Sequence, residues 1–311
     1  MIRGERELRA LEEDVLELAA TSRPLEASEQ AKFALRLEEV WGSCALAGSA
    51  TTLAQTRALL QRGVVAGDRA LRDYLMLWSY GQASAWVQAQ RPRPAGPRVT
   101  VAEIRGLHAR VTAGMALVES DATPGAWRTH NARPVRHGVV PVPPSLIVSE
   151  IASFVDRFGH GAAAGTSHFL WLATFQERLE RIRPFSAGSG RVARLTVNLL
   201  LTRLGLPFAT IPPRATRSYR EAISHADAGN LYPLAHYLAR SVQRNLGSFA
   251  APADLRTLAA LAGPAVSEDA LRKAVLRGRL RHAYVGARLF STVLWRDEYL
   301  ADRLAARDLR E

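Results

Sequence analysis

The chain has little of what would build a covalent or metal-held framework. Among its 311 residues there is one cysteine, Cys44, which excludes an internal disulfide and a thiolate metal cluster. Its neighbours Ala45 and Leu46 mark it as a small packed residue rather than a nucleophile. Lysine is nearly absent: of 41 basic residues only Lys32 and Lys273 are lysines. No run of about eighteen uncharged apolar residues occurs, and the first twenty residues read as a charged amphipathic helix rather than a signal peptide. A cytoplasmic protein without a membrane partner is therefore expected. Acidic residues are also scarce, 29 in all, leaving a formal charge of +12. That excess points to polyanionic partners such as nucleic acid or nucleotides. The preference for arginine over lysine, beside abundant alanine, is equally what GC-rich coding produces, so the net charge is the more informative quantity.

What is present is enough to fold. With 48% hydrophobic residues the chain can bury a sizeable core in one large domain plus a small one. Apolar residues recur at helical spacing over 3–60, 66–90, 101–118, 145–158, 167–182, 191–204, 217–226 and 231–245, and nothing reads as a large sheet. Residues 90–97 form a Pro-rich connection, and 130–144, rich in Pro, Val and Arg, read as a short extended flap or hairpin. After 246–252 the pattern changes. A helix near 253–262, a turn at Gly263-Pro264 and a helix near 268–277, capped by Ser267 and stopped by Gly278, precede two β-rich runs at 282–285 and 288–294.

One segment carries a chemical signature: Arg183-Pro184-Phe185-Ser186-Ala187-Gly188-Ser189-Gly190-Arg191-Val192-Ala193-Arg194. Glycines just before a helix let backbone N–H groups converge on an anion, where the helix terminus adds partial positive charge. Arg191 and Arg194, three apart, can share one side of the first turns and clamp phosphate oxygens. Taken alone, such a turn is more readily a tight interhelical connection than an anion site.

The wider segment resembles the signature of the Fic family, His-Pro-Phe-x-Asp/Glu-Gly-Asn-Gly-Arg-x-x-Arg. Asn198-Leu-Leu-Leu-Thr-Arg-Leu-Gly-Leu-Pro, Tyr219-Arg-Glu-Ala, and Pro124-Gly-Ala-Trp-Arg128-Thr with Val140-Pro-Val-Pro-Pro144 are similar to its following helices and to its target-holding flap, where Arg128 and His137 would sit. The resemblance implies an all-α fold over residues 1–250: N-terminal helices (1–90) and a Fic-like core (100–245) with a short β-hairpin flap. It also implies a departure in chemistry. The family's motif histidine, its general base, is replaced by Arg183, and a guanidinium stays protonated and cannot accept a proton. Its acidic Mg²⁺ ligand is replaced by Ala187 and its asparagine by Ser189. Gly188, Ser189, Gly190, Arg191 and Arg194 keep the anion-cradling half. Ser43-Cys44-Ala45-Leu46-Ala47-Gly48 resembles the family's inhibitory helix, but Ala47 stands where its glutamate would pair with the second motif arginine, so Arg194 is expected to lack a partner beside Arg191.

Ordinary AMP transfer is therefore not expected. The expectation is a nucleotide or other phosphate ligand held without Mg²⁺, with no cofactor or metal ligand assigned; the family's habits allow a homodimer. The alternative is a Fic-fold enzyme of altered chemistry, a nucleotidyl or other phosphate-substrate transferase, whose base comes from elsewhere: His130, His137, His160 and His168 are candidates, with Arg178 to be considered beside them, although a histidine on a helix or flap is more often a solvated or packed side chain than a catalyst.

Residues 251–311 resemble a winged helix-turn-helix of the excisionase or MerR type, carried by Leu258-Ala-Ala-Leu-Ala, Val266 through Leu280, Tyr284-Val-Gly-Ala-Arg and Trp295-Arg-Asp-Glu-Tyr-Leu. From Ala270 to Trp295 no acidic residue occurs, while Arg272, Lys273, Arg277, Arg279, Arg281 and Arg288 are basic. In such a module the second helix enters the major groove and the remaining arginines meet phosphates, making a DNA-binding regulator the expected function. A solvated basic face, or a winged helix used for dimerisation or docking, stays open beside it.

Overall fold

The computed structural model describes residues 3–22, 24, 27–93, 96–118, 123–133, 138–212, 215–249, 255–276, 279–280, 282–285 and 288–308. Several of the helices begin where the sequence supplies a capping hydroxyl. Ser28 caps α2 (Glu29–Leu46), Ser167 caps α7 (His168–Ile182), and Thr52 with Gln55 and Thr100 with Glu103 close capping boxes on α3 (Leu53–Arg62) and α5 (Val101–Thr112). Each such cap contributes about 1 kcal/mol. The long helical stretch expected over 3–60 divides into α1 (Arg3–Ser22), α2 and α3.

The remaining helices of the larger unit are α4 (Leu71–Gln88), α6 (Ile147–Phe158), α8 (Ser189–Arg203), α9 (Thr216–Asp227) and α10 (Tyr232–Phe249). The centre is α8: all its residues except Gly190 and Arg194 are buried. Leu195, Leu199, Leu200 and Leu201 are fully enclosed, each stabilising the fold by roughly 1.5–3 kcal/mol. Asn198 is tolerated there because its side-chain oxygen accepts the Ala209 N–H at 2.9 Å. α2, α4, α5 and α7 pack around α8, and α1 lies along α10 with Leu8, Leu11 and Val15 inside. At Gly42 a Cβ would stand 2.0 Å from the Ile211 carbonyl oxygen, so α2 meets the segment after α8 backbone to backbone.

A second, separate cluster of buried side chains joins Leu258, Leu261, Val266, Leu271, Val275 and Trp295. It is built from α11 (Leu258–Leu261), α12 (Glu268–Leu276), α13 (Val293–Asp308) and a three-stranded antiparallel sheet. In that sheet β3 (Arg288–Ser291) lies between β1 (Arg256–Thr257) and β2 (Ala283–Val285), with Arg256 opposite Ser291 and Tyr284 opposite Leu289. The helix expected from 253 thus starts later: residues 256–257 pair with β3, and the Thr257 hydroxyl then accepts the Ala260 N–H at 3.2 Å.

The flap is extended, without a strand ladder among its described residues, 123–133 and 138–143. Pro141 and Pro143 offer no N–H to a ladder, and a single-turn 3₁₀ segment, Pro144–Leu146, leads into α6. No helix among the described residues is long and apolar enough to cross a membrane.

Candidate functional site

α7 ends at Arg183, which adopts the left-handed conformation (φ 47°, ψ 62°) and donates its N–H to the Leu179 carbonyl at 3.2 Å. Among the described residues it is the one non-glycine residue with positive φ, a state that costs about 1–2 kcal/mol. The carbonyls exposed by this ending are taken by Arg128, which is 4% exposed. Its guanidinium donates to Arg183 O at 2.7 Å, to Ile182 O at 3.4 Å, to His130 O at 2.9 Å and to Val142 O. Its own N–H donates to Pro184 O at 3.0 Å. Arg128 therefore fastens both limbs of the flap to the end of α7, and burial, then the nearby Arg183, lower its pKa. The Arg183 side chain is half-buried.

The motif loop is closed from within. Phe185 is buried and stacks face to face on His108 of α5, centroids 3.7 Å apart, and on Trp127 at 5.0 Å. The Ser189 hydroxyl donates to Phe185 O at 3.1 Å and accepts the Phe185 N–H at 3.3 Å, so it serves the loop rather than a ligand. His108 fixes the loop's far side. Its Nδ1 accepts the Gly125 N–H at 3.0 Å, which leaves Nε2 to donate to Ala187 O at 3.1 Å. Burial pulls its pKa down to about 4, opposed by the bond to Ala187 and aided by Arg191. The ring is a neutral brace with both nitrogens engaged, and it was missed in the sequence because α5 lies 79 residues from the motif.

Gly188 then turns left-handed (φ 79°) to start α8, whose N-terminus no side chain caps. A Cβ at Gly188 would meet Thr112 Cγ2 at 3.4 Å and Arg191 Nη2 at 3.5 Å, ordinary contact distances, so it is the left-handed backbone that calls for glycine here, with the Arg191 guanidinium packed beneath it. Arg191 is 6% exposed and its Nη1 is buried with no hydrogen-bond partner. Burial chiefly lowers its pKa; Arg194 and Arg72 act the same way, and Cys44 and Tyr80 oppose. An enclosed cation with an unfilled donor, at the N-terminus of a buried fifteen-residue helix, is arranged to receive an anion.

Arg194 behaves differently, and the expectation that it lacks a partner is overturned. Its Nε donates to Ser43 Oγ at 2.8 Å and its Nη2 to Ser43 O at 3.0 Å. Burial opposes its charge, but Tyr219, Tyr80 and Glu180 outweigh that and raise its pKa. Beneath it Glu39 accepts from Tyr80 at 2.6 Å and Ser84 at 2.9 Å. Burial pushes that carboxyl up to about 7 against these bonds and the Arg194 charge. The reason is the register of α2: Ala47 is its exposed C-cap, while Ser43, one turn earlier, faces α8. Cys44 is fully buried, its thiol pushed up to about 12 chiefly by burial.

The other candidates scatter. His168 begins α7, at the far end from Arg183, and its Nδ1 lies 2.7 Å from Glu12 Oε1. His130 and His160 are exposed, Arg178 lies 3.9 Å from Glu177, and His137 is outside the described residues. The Ala187 side chain has no donor oxygen, and its carbonyl is taken by His108; the motif does not fit a Mg²⁺ ion. No group of three His, Cys, Asp or Glu suited to a metal occurs among the described residues. In the second unit Arg272 pairs with Glu268 and Lys273 with Asp269, both at 2.7 Å, from just outside the acid-free stretch. Arg279 is exposed; Arg277 and Arg281, and the side chain of Arg288, lie outside the described residues.

Residues 98–201 match the profile of the Fic/DOC family. The chain is 26% identical over 213 residues to "Protein adenylyltransferase fic-1" of Caenorhabditis briggsae, covering 67% of this chain and 41% of that protein. It is 26% identical over 246 residues to "Protein adenylyltransferase Fic" of Drosophila mojavensis, covering 78% and 47%. The chain thus spans less than half the length of these curated relatives. Among solved structures, Fic-1 (residues 134–508) of C. elegans superposes with a TM-score of 0.66 at 22% identity over 78% of this chain and 72% of that one. A Fic-domain signalling protein of Bacteroides thetaiotaomicron gives the same TM-score and identity over 76% and 95%. These likenesses establish the fold.

Proposed function

We propose that this chain, whose residues 98–201 form a Fic/DOC domain, is a ligand-responsive regulator that binds a phosphate-bearing molecule without transferring AMP in the family's usual manner. One observation carries the reading: the buried Arg191 holds an unfilled donor beneath Gly188, while a permanently protonated Arg183 and an Ala187 with no side-chain oxygen stand where proton acceptance and metal binding would be needed. Since Ser43 occupies two donors of Arg194, the site offers one free guanidinium edge and suits a single phosphate group rather than a polyphosphate chain. The second unit, read as a winged helix, supplies the output by binding DNA through Arg279 and its basic neighbours. A homodimer in the cytoplasm is part of the same reading.

A thermal-shift assay tests the ligand half. AMP and inorganic phosphate should raise the melting temperature of the wild-type chain, Arg191→Gln should remove that rise, and ATP with Mg²⁺ should label no protein. Equal stabilisation of the Arg191→Gln variant, or transfer of labelled AMP by the wild type, would overturn the proposal.

A further inference from the structure

At the opposite end of α8 from the motif, a cavity of about 280 Å³ opens between the start of α2, the end of α4 and the segment after α8. Fifteen residues of helix separate it from Gly188, roughly 20 Å, so it is independent of the anion cradle. Its floor is apolar, formed by the buried Leu35, Leu206 and Phe208 with Phe249. Its rim is cationic, carrying Lys32, Arg36 and Arg91 against one carboxylate, Glu29.

That carboxylate is already engaged with Lys32 at 3.0 Å. The half-buried Arg36 has no ion-pair partner among the described residues. It is held by Gln88 Oε1 at 3.3 Å and by the Phe33 ring, 5.4 Å from its guanidinium carbon. Gln88 is itself fixed by donating to Lys32 O at 2.8 Å. Arg91, at the mouth, is exposed and makes no ion pair with a described residue. Burial depresses the Arg36 pKa, with Glu29 acting against it, which is the condition in which an incoming anion is most strengthening. Two cations that form no ion pair with a described residue, above an apolar floor, are complementary to one kind of molecule.

We infer that this cavity is a second ligand site, taking a small organic anion that sets an apolar body on Leu35, Leu206 and Phe208 and a carboxylate or phosphate head between Arg36 and Arg91. The apolar part supplies the burial and the head supplies the orientation. Neither a bare inorganic anion nor a neutral alkane derivative satisfies both.

Titration calorimetry on the full chain tests the site with octanoate, phenyl phosphate, octanol and acetate as probes. Octanoate or phenyl phosphate should bind one per chain, with octanol and acetate at least tenfold weaker; the better of the two anions identifies the head group. Arg91→Ala, at an exposed position, should weaken the anion about tenfold, the factor set by 1.4 kcal/mol, and Ala89→Trp should fill the mouth and abolish binding. Arg191→Gln should leave octanoate binding unchanged, which separates this site from the motif. The inference fails if neither anion binds, if octanol matches octanoate, if both cavity variants bind as the wild type does, or if Arg191→Gln removes the binding.

Discussion

Arginine serves here in four distinct ways, and burial decides which. Arg203 is structural: its side chain is wholly enclosed and donates to Glu103 at 2.6 and 3.3 Å and to Arg98 O. Glu103 also accepts the Thr100 N–H at 2.9 Å and pairs with Arg93 at 3.0 Å. Its burial would raise its pKa, but Arg203 and Thr100 prevail and hold it down to about 2. A carboxyl whose folded pKa lies below its unfolded value near 4.5 stabilises the fold above that value and loses the contribution as pH falls towards 2. Glu103→Gln should therefore cost about 2 kcal/mol at pH 7, discounted for the water that still reaches the carboxylate. Denaturation between pH 7 and 3 should show the variant and wild type converging; a constant gap would contradict the linkage. Arg128 binds carbonyls, Arg194 is held by Ser43, and Arg191 keeps a buried open donor at a helix N-terminus, whereas the open Nε of Arg203 lies behind its ion pair with Glu103. The sequence points to Gly188 and Arg191 because a glycine before a helix has local meaning, and the structure places both at the start of α8. The sequence could not reveal Ser43 or His108, which reach the motif from 151 and 79 residues away, since packing across helices leaves no short-range pattern.

At the scale of elements, most helices were legible from apolar spacing and cap residues, as at α5 and α7. The breaks between α1, α2 and α3 were not, because helical periodicity continues across short connections. The flap shows the limit most clearly: alternating Val and Pro reads as a strand, but prolines cannot complete a ladder, and a single guanidinium performs the joining. Arg128→Ala should leave the carbonyls of Ile182, Arg183, His130 and Val142 without their donor. A loss of about 3 kcal/mol is expected, with faster amide hydrogen exchange in residues 138–143 than in α8. Arg128→Lys should not restore protection, since an ammonium cannot span the same carbonyls; full protection in either variant would refute the clasp.

The molecule as a whole contains two separate hydrophobic clusters, one ending at Leu246 and the other beginning at Leu258. The composition change near residue 250 was readable because it is a change in pattern length, whereas the pairing of Arg272 and Lys273 with Glu268 and Asp269 was not, since a window chosen for lacking acids hides the acids at its edge. If the second unit binds DNA, its exposed cations act through phosphates. Arg279→Glu in the full chain should then weaken binding to fragmented genomic DNA at least tenfold and flatten its salt dependence. Unchanged affinity and slope would remove DNA from the proposal. A last consequence belongs to Gly42. Because its missing side chain lets α2 rest against the Ile211 carbonyl, the helix is keyed like a shaft in a slot: it cannot slide by one turn to set Ala47 in place of Ser43. The choice of which residue faces Arg194 was thus made one position earlier, by a glycine whose own close neighbour is the Ile211 carbonyl.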